Sequence, residues 1–126
     1  MNELRLWAPE SYWNMPVEER NRRYSGCGPE NALIDFVPDT VIFLSIKESC
    51  KIHDHSYSIG ESEDDRLEAD RVFRNNMQRI VDFHTKNAIL KWLRYWRVNQ
   101  NYKAVRIWGS KAFWEGKNSA IEYRVI

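Results

Sequence analysis

The chain has 126 residues, of which 43% are hydrophobic and 29% are charged. This size favours one domain, spanning residues 1–126, with a single hydrophobic core. No apolar run approaches the ~20 residues of a transmembrane helix, and two cysteines are too few for a disulfide-rich scaffold. The N-terminus has no basic region followed by an apolar core, so we expect no signal peptide. A soluble protein is predicted, with a cytoplasmic location as one interpretation.

The net charge of +1 hides a strong asymmetry along the chain. Residues 86–126 contain nine Lys or Arg against two Glu, a net of +7, whereas residues 1–85 have a net of −6. The basic part is also rich in Trp and Tyr. This combination is typical of a membrane interface or a nucleic-acid surface, although no nucleic-acid motif is present. Core packing with a solvated basic rim is the third interpretation.

The first third of the chain is predicted to be mostly irregular. A short helix is expected from Pro16 to Arg23, with proline at its first position. The turn residues of 24–29 indicate a loop, and Pro38-Asp39 indicates a turn within an irregular stretch at 30–44.

Three longer helices follow, which makes the predicted fold class mainly α. Ser45 and Glu48 have the spacing of a capping box, so a helix is expected to begin there and to end at Ile59, with Gly60 as its C-terminal stop. The acids after Ser62 predict the start of a second helix, whose apolar residues keep helical spacing as far as His84. The third helix is predicted over 88–105, and a short strand over 121–126.

The segment from Cys50 to Tyr57 contains the residues best suited to catalysis or metal binding. His53 and Tyr57 are four apart and share one helix face, while Asp54 is turned about 100° away. Histidine titrates near neutrality and a carboxylate suits calcium, so the pair offers water activation beside a Lewis acid. The alternative is an ordinary surface helix with an adjacent His-Asp pair.

Asp70 lies on the apolar stripe of the second helix, where an unpaired carboxylate is costly. Two antiparallel helices joined near residues 61–62 would place His53 and Asp70 at the same height, each about 10 Å from the turn. We therefore predict a His53–Asp70 hydrogen bond, with Tyr57 in reach of the same carboxylate. A buried structural ion pair is the alternative interpretation of this contact.

The glycine-rich loop from Tyr24 to Gly28 supplies the remaining part of the predicted site. Glycine tolerates positive φ, so such a loop can turn several carbonyl groups toward one point. Backbone carbonyls together with one carboxylate, here Asp54, are typical calcium ligands.

These residues resemble the phospholipase A2 superfamily, in particular its compact viral and bacterial members. The matching motifs are Y-x-G-x-G, C-x-x-H-D-x-x-Y and D-x-x-F, formed here by Tyr24, Gly26 and Gly28, by Cys50, His53, Asp54 and Tyr57, and by Asp70 and Phe73. The resemblance covers roughly residues 24–77.

The resemblance implies calcium-dependent hydrolysis of the sn-2 ester of glycerophospholipids at a membrane surface. It implies that His53 deprotonates the attacking water, Asp70 orients His53, and Tyr57 supports Asp70. Calcium would be held by Asp54 and by the carbonyl groups of Tyr24, Gly26 and Gly28. The resemblance does not extend to residues 86–126, and their basic aromatic composition leads to the separate hypothesis that this part docks on anionic membrane.

Several positions depart from the family pattern. Pro29 and Glu30 replace a more glycine-rich continuation of the loop, and Ser56 stands where secreted enzymes have cysteine. The resemblance suggests a Cys27–Cys50 bridge, while two free thiols fit the composition equally. His55 and His84 have no matching role and are interpreted as structural or surface residues. A non-catalytic module with this fold, associated with a phage or toxin system, is the second functional hypothesis.

Overall fold

The computed structural model describes residues 3–24 and 39–114, and within these ranges the protein is mainly helical, as predicted. The elements are α1 (Glu10–Asn14), α2 (Val17–Arg23), β1 (Thr40–Val41), β2 (Leu44–Ser45), α3 (Lys47–Ile59), α4 (Glu63–His84) and α5 (Ala88–Trp114). The predicted helix from Pro16 to Arg23 corresponds to α2, but Pro16 is its N-cap rather than its first helical residue. The predicted strand at 121–126 and most of the glycine-rich loop lie outside the described residues.

The predicted capping box at Ser45 is wrong, because Ser45 belongs to a two-stranded hairpin. Thr40 pairs with Ser45 in antiparallel register, and the helix N-cap is Ile46, without a side-chain cap. The hairpin turn places Ile42 (φ 46°) and Phe43 (φ 67°) in the left-handed region. Such turns normally use Asn or Gly at these positions, so the sequence contains no ordinary signal for this hairpin.

The end of α3 and the start of α4 agree with the prediction, with one physical correction. α3 ends at Ile59, but Gly60 is extended (φ −68°, ψ 150°) rather than left-handed. Glycine is needed there for space, since a Cβ atom would lie 2.6 Å from Cε1 of Phe113. Ser62 then caps α4 by accepting a hydrogen bond from the Asp65 N–H at 3.1 Å.

Helix α5 continues to Trp114, well beyond its predicted end at Val105. Gly109, which lies beyond the predicted end, is part of this helix. A Cβ at Gly109 would collide with the Tyr57 hydroxyl, so the glycine allows α5 to approach α3 closely. This close approach offsets the roughly 1 kcal/mol that a glycine costs in a helix interior.

The main core lies between α3, α4 and α5, and its largest fully buried members include Phe73, Met77 and Phe113. A second cluster of Tyr12, Tyr24 and Ile52 joins the N-terminal segment to α3. The N-terminal segment is also fixed to α4, because the Asn76 amide bonds both the N–H and the carbonyl of Trp7. The packing of α3 against α4 and α5 positions His53 and Asp70, the predicted His-Asp pair.

Candidate active site

The structure contains the predicted contact between His53 and Asp70. Nε2 of His53 lies 2.7 Å from Oδ1 of Asp70, and the Tyr57 hydroxyl donates to the same oxygen at 2.6 Å. All three side chains are almost completely buried. Only Gly60, Glu61 and Ser62 separate α3 from α4, so the chain reverses and brings these positions together. What role these residues have remains a prediction.

Aromatic rings fix the orientation of the His53 imidazole. The Phe73 ring stacks on it with a centroid distance of 4.4 Å, and the Tyr57 ring lies 4.1 Å away on the same helix. Phe113 of α5 meets Tyr57 edge-on at 5.2 Å. With Nε2 donating to Asp70, Nδ1 carries the lone pair, and no described residue forms a hydrogen bond with it. An imidazole in this tautomer is able to accept a proton at Nδ1.

Tyr57 is held as a hydrogen-bond donor. Its burial, followed by the nearby Asp70 carboxylate, raises the pKa of the Tyr57 hydroxyl far above its ordinary value. The phenol therefore stays protonated and continues to stabilise the negative charge on Asp70.

Two arginines that sequence reasoning missed face the other oxygen of Asp70. Nη1 of Arg66 lies 3.6 Å and Nε of Arg106 3.4 Å from Oδ2, distances of ion pairing without a well-formed hydrogen bond. Arg66 also donates a hydrogen bond to the Glu63 carboxylate. This hydrogen bond raises the pKa of the Arg66 guanidinium. Arg66 precedes Asp70 by four residues and so offered a signal for this ion pair. Arg106 lies on α5 and offered none.

The predicted calcium ligands are described only in part. Asp54 is half-buried on α3, and Tyr24 is buried, with its hydroxyl 2.9 Å from Nδ1 of the neighbouring His55. Gly26 and Gly28 lie outside the described residues. Within 3–24 and 39–114 no three His, Cys, Asp or Glu side chains converge on a metal-sized space. Calcium sites are also built from one carboxylate and backbone carbonyls. Asp54 directly precedes His55, whose Nδ1 lies 2.9 Å from the hydroxyl of Tyr24 at the start of the loop.

Cys50 is disulfide-bonded, which agrees with the bridged rather than the free-thiol interpretation. The suggested partner, Cys27, lies outside the described residues.

His55 is structural. It is buried, and its two ring nitrogens lie 2.8 Å from the Ser11 hydroxyl and 2.9 Å from the Tyr24 hydroxyl. His55 therefore connects the N-terminal segment to α3. His84, by contrast, is exposed in the last turn of α4.

The burial of His55 predicts a loss of stability in acid. Burial, and then the positive charge of Arg23, lower the pKa of His55 in the folded protein. The unfolded chain binds a proton to His55 below about pH 6.5, which the folded protein resists, so this contribution is complete above that pH and is lost as the pH falls. We expect His55→Gln to flatten the decline in unfolding free energy between about pH 7 and 5, measured by urea denaturation.

His84→Gln is the control for this prediction, because its side chain is exposed at the end of α4. An unchanged slope of unfolding free energy against pH in His55→Gln would contradict the lowered pKa of folded His55.

Comparisons of the chain with protein-family models, with curated proteins and with solved structures find no match. Among the described helices, none is long and apolar enough to cross a membrane.

Proposed function

We propose that the protein is a calcium-dependent hydrolase of phospholipase A2 type, which cleaves the sn-2 ester of glycerophospholipids at a membrane surface. The observation that carries the proposal is the buried hydrogen bond between His53 and Asp70, with Tyr57 donating to the same carboxylate oxygen. A structural ion pair alone would not require Nδ1 to be left without a hydrogen bond to any described residue while Phe73 and Tyr57 pack against the imidazole.

In this proposal His53 is the general base. Nδ1 takes a proton from the water that attacks the ester carbonyl, while the Nε2–H stays hydrogen-bonded to the Asp70 carboxylate. The carboxylate stabilises the imidazolium that forms, and Tyr57 keeps Asp70 in position. The same proton then passes from Nδ1 to the leaving alkoxide, so no acyl-enzyme is needed.

Asp54 and the carbonyl groups of Tyr24, Gly26 and Gly28 would hold the calcium ion. When bound, calcium would polarise the ester carbonyl and neutralise the lipid phosphate. The hydroxyl of Tyr24 on His55 anchors the start of this loop to the same helix that carries Asp54.

A second candidate function is a non-catalytic module with this fold, associated with a phage or toxin system. It is favoured by Arg66 and Arg106, which give Asp70 the surroundings of a structural ion cluster. In that case the His53–Asp70 contact would stabilise the fold and perform no chemistry.

The test is hydrolysis of glycerophospholipid vesicles with calcium and with chelator, together with calorimetric calcium titration. We expect release of the sn-2 fatty acid only with calcium, and a large loss of calcium affinity in Asp54→Asn. The matched control is Asp64→Asn, an exposed acid in the first turn of α4. Hydrolysis that survives chelation, or no calcium binding at millimolar concentration, would refute the calcium-dependent reaction.

A further inference from the structure

Helix α5 is apolar on two opposite faces, one packed against the core and the other exposed among the residues that the structure describes. The buried face consists of Val98, Asn101, Val105, Gly109 and Phe113. The opposite face, called here the outer face of α5, carries Ile89, Trp92, Leu93, Trp96 and Ile107. At about 100° per residue, Ile89 and Val98 point in opposite directions, and all five outer residues fall within about 100° of arc. Trp92 is 66% and Trp96 53% exposed, so the outer face is apolar surface in contact with solvent.

The charge on α5 is of one sign. Its 27 residues include six Lys or Arg and no Asp or Glu. Lys103 and Lys111 are exposed and project on the same side as the outer face. Neither lysine forms an ion pair within the part of the chain that the structure describes. An apolar strip on a basic helix without acidic residues is complementary to a partner that has anionic groups at its surface and an apolar interior beneath them.

The composition of α5 discriminates between possible occupants. A second copy would bring two acid-free basic helices together, and like charges across an interface are unfavourable. Insertion across the bilayer is excluded for α5, since it is not apolar enough to span one. A helix lying in the membrane interface needs just what α5 offers: Trp and aliphatic side chains on one face, with lysines reaching the lipid phosphates.

We propose that the outer face of α5 is a docking surface for anionic phospholipid membrane, on which the helix lies parallel to the bilayer plane. The proposal deepens the proposed function by naming the surface through which the protein reaches lipid. It rests on that function only in the choice of phospholipid as partner.

The test is sedimentation of the full chain with vesicles of phosphatidylcholine, with and without phosphatidylglycerol. The experiment uses the His53→Gln background, so that binding is measured without hydrolysis. We expect binding that requires phosphatidylglycerol and weakens with salt. The double variant Trp92→Ala/Trp96→Ala should lower the partition coefficient by about tenfold or more. Lys103→Glu/Lys111→Glu should remove the preference for anionic vesicles.

Trp108→Ala is the matched control, because Trp108 is 63% exposed on the same helix but is turned away from the outer face. Circular dichroism establishes that each variant is folded. Unchanged vesicle binding in the Trp92/Trp96 variant would overturn the proposal. So would a dimer, or complex formation with single-stranded DNA, that this variant abolishes while vesicle binding persists.

The two proposals fail in different ways. Loss of docking would leave hydrolysis of a monomeric short-chain phospholipid intact in the Trp92/Trp96 variant. Absence of any hydrolysis, with vesicle binding retained, would remove the reaction and leave the docking surface.

Discussion

Replacement of His53 by glutamine is expected to lower the rate of phospholipid hydrolysis by about 10²- to 10⁴-fold, the usual contribution of a positioned general base. Glutamine retains a donor for the Asp70 carboxylate but has no group that takes a proton near neutral pH. Asp70 keeps Tyr57 and the two arginines as partners, so the fold should persist. The measurement is kcat on vesicles and on a monomeric short-chain substrate.

His84→Gln is the control for that experiment, because it removes an exposed imidazole far along α4 from the site. Calcium affinity should be unchanged in His53→Gln, which separates loss of the base from loss of the metal. Hydrolysis by His53→Gln at the rate of the unmodified chain would refute His53 as the general base, whereas no hydrolysis by either protein would favour the non-catalytic module.

The pairing of α3 with α4 could be predicted because a short connector makes the geometry local. Once the turn is placed at residues 60–62, helical rise alone puts His53 opposite Asp70. Asp70 itself was conspicuous, as an acid on an apolar stripe must have a buried partner. These two facts were enough to predict a contact that the structure contains.

The contributions of α5 could not be predicted in this way. Helix α5 reaches Asp70 through Arg106, and Tyr57 through Gly109 and Phe113, because it packs across α3 and α4. No local sequence rule fixes that packing. A glycine such as Gly109, required by a neighbouring hydroxyl, looks the same in sequence as a glycine required by a turn. The hairpin before α3 was missed because Ile42 and Phe43 adopt a backbone that their side chains disfavour.

Replacement of Asp70 by asparagine is expected to reduce the free energy of unfolding by about 3 kcal/mol, in addition to abolishing the proposed reaction. The carboxylate is fully buried and faces His53, Tyr57 and the guanidinium groups of Arg66 and Arg106. Asparagine has the same size, so packing is retained while the compensating charge is removed. Arg66 keeps Glu63 as a partner, which places the loss at the lower end of the range for a broken buried ion pair.

Asp82→Asn provides a closely matched control for the effect of burial on Asp70→Asn. Asp82 also accepts a hydrogen bond from a tyrosine, Tyr95, and lies 3.8 Å from a cation, Lys91, but its side chain is 53% exposed. Water and salt screen such a pair, so its removal should cost less than about 1 kcal/mol. Urea denaturation of both variants at pH 7 measures the difference directly. Equal losses would mean that the buried charge cluster around Asp70 contributes no more to stability than a surface pair.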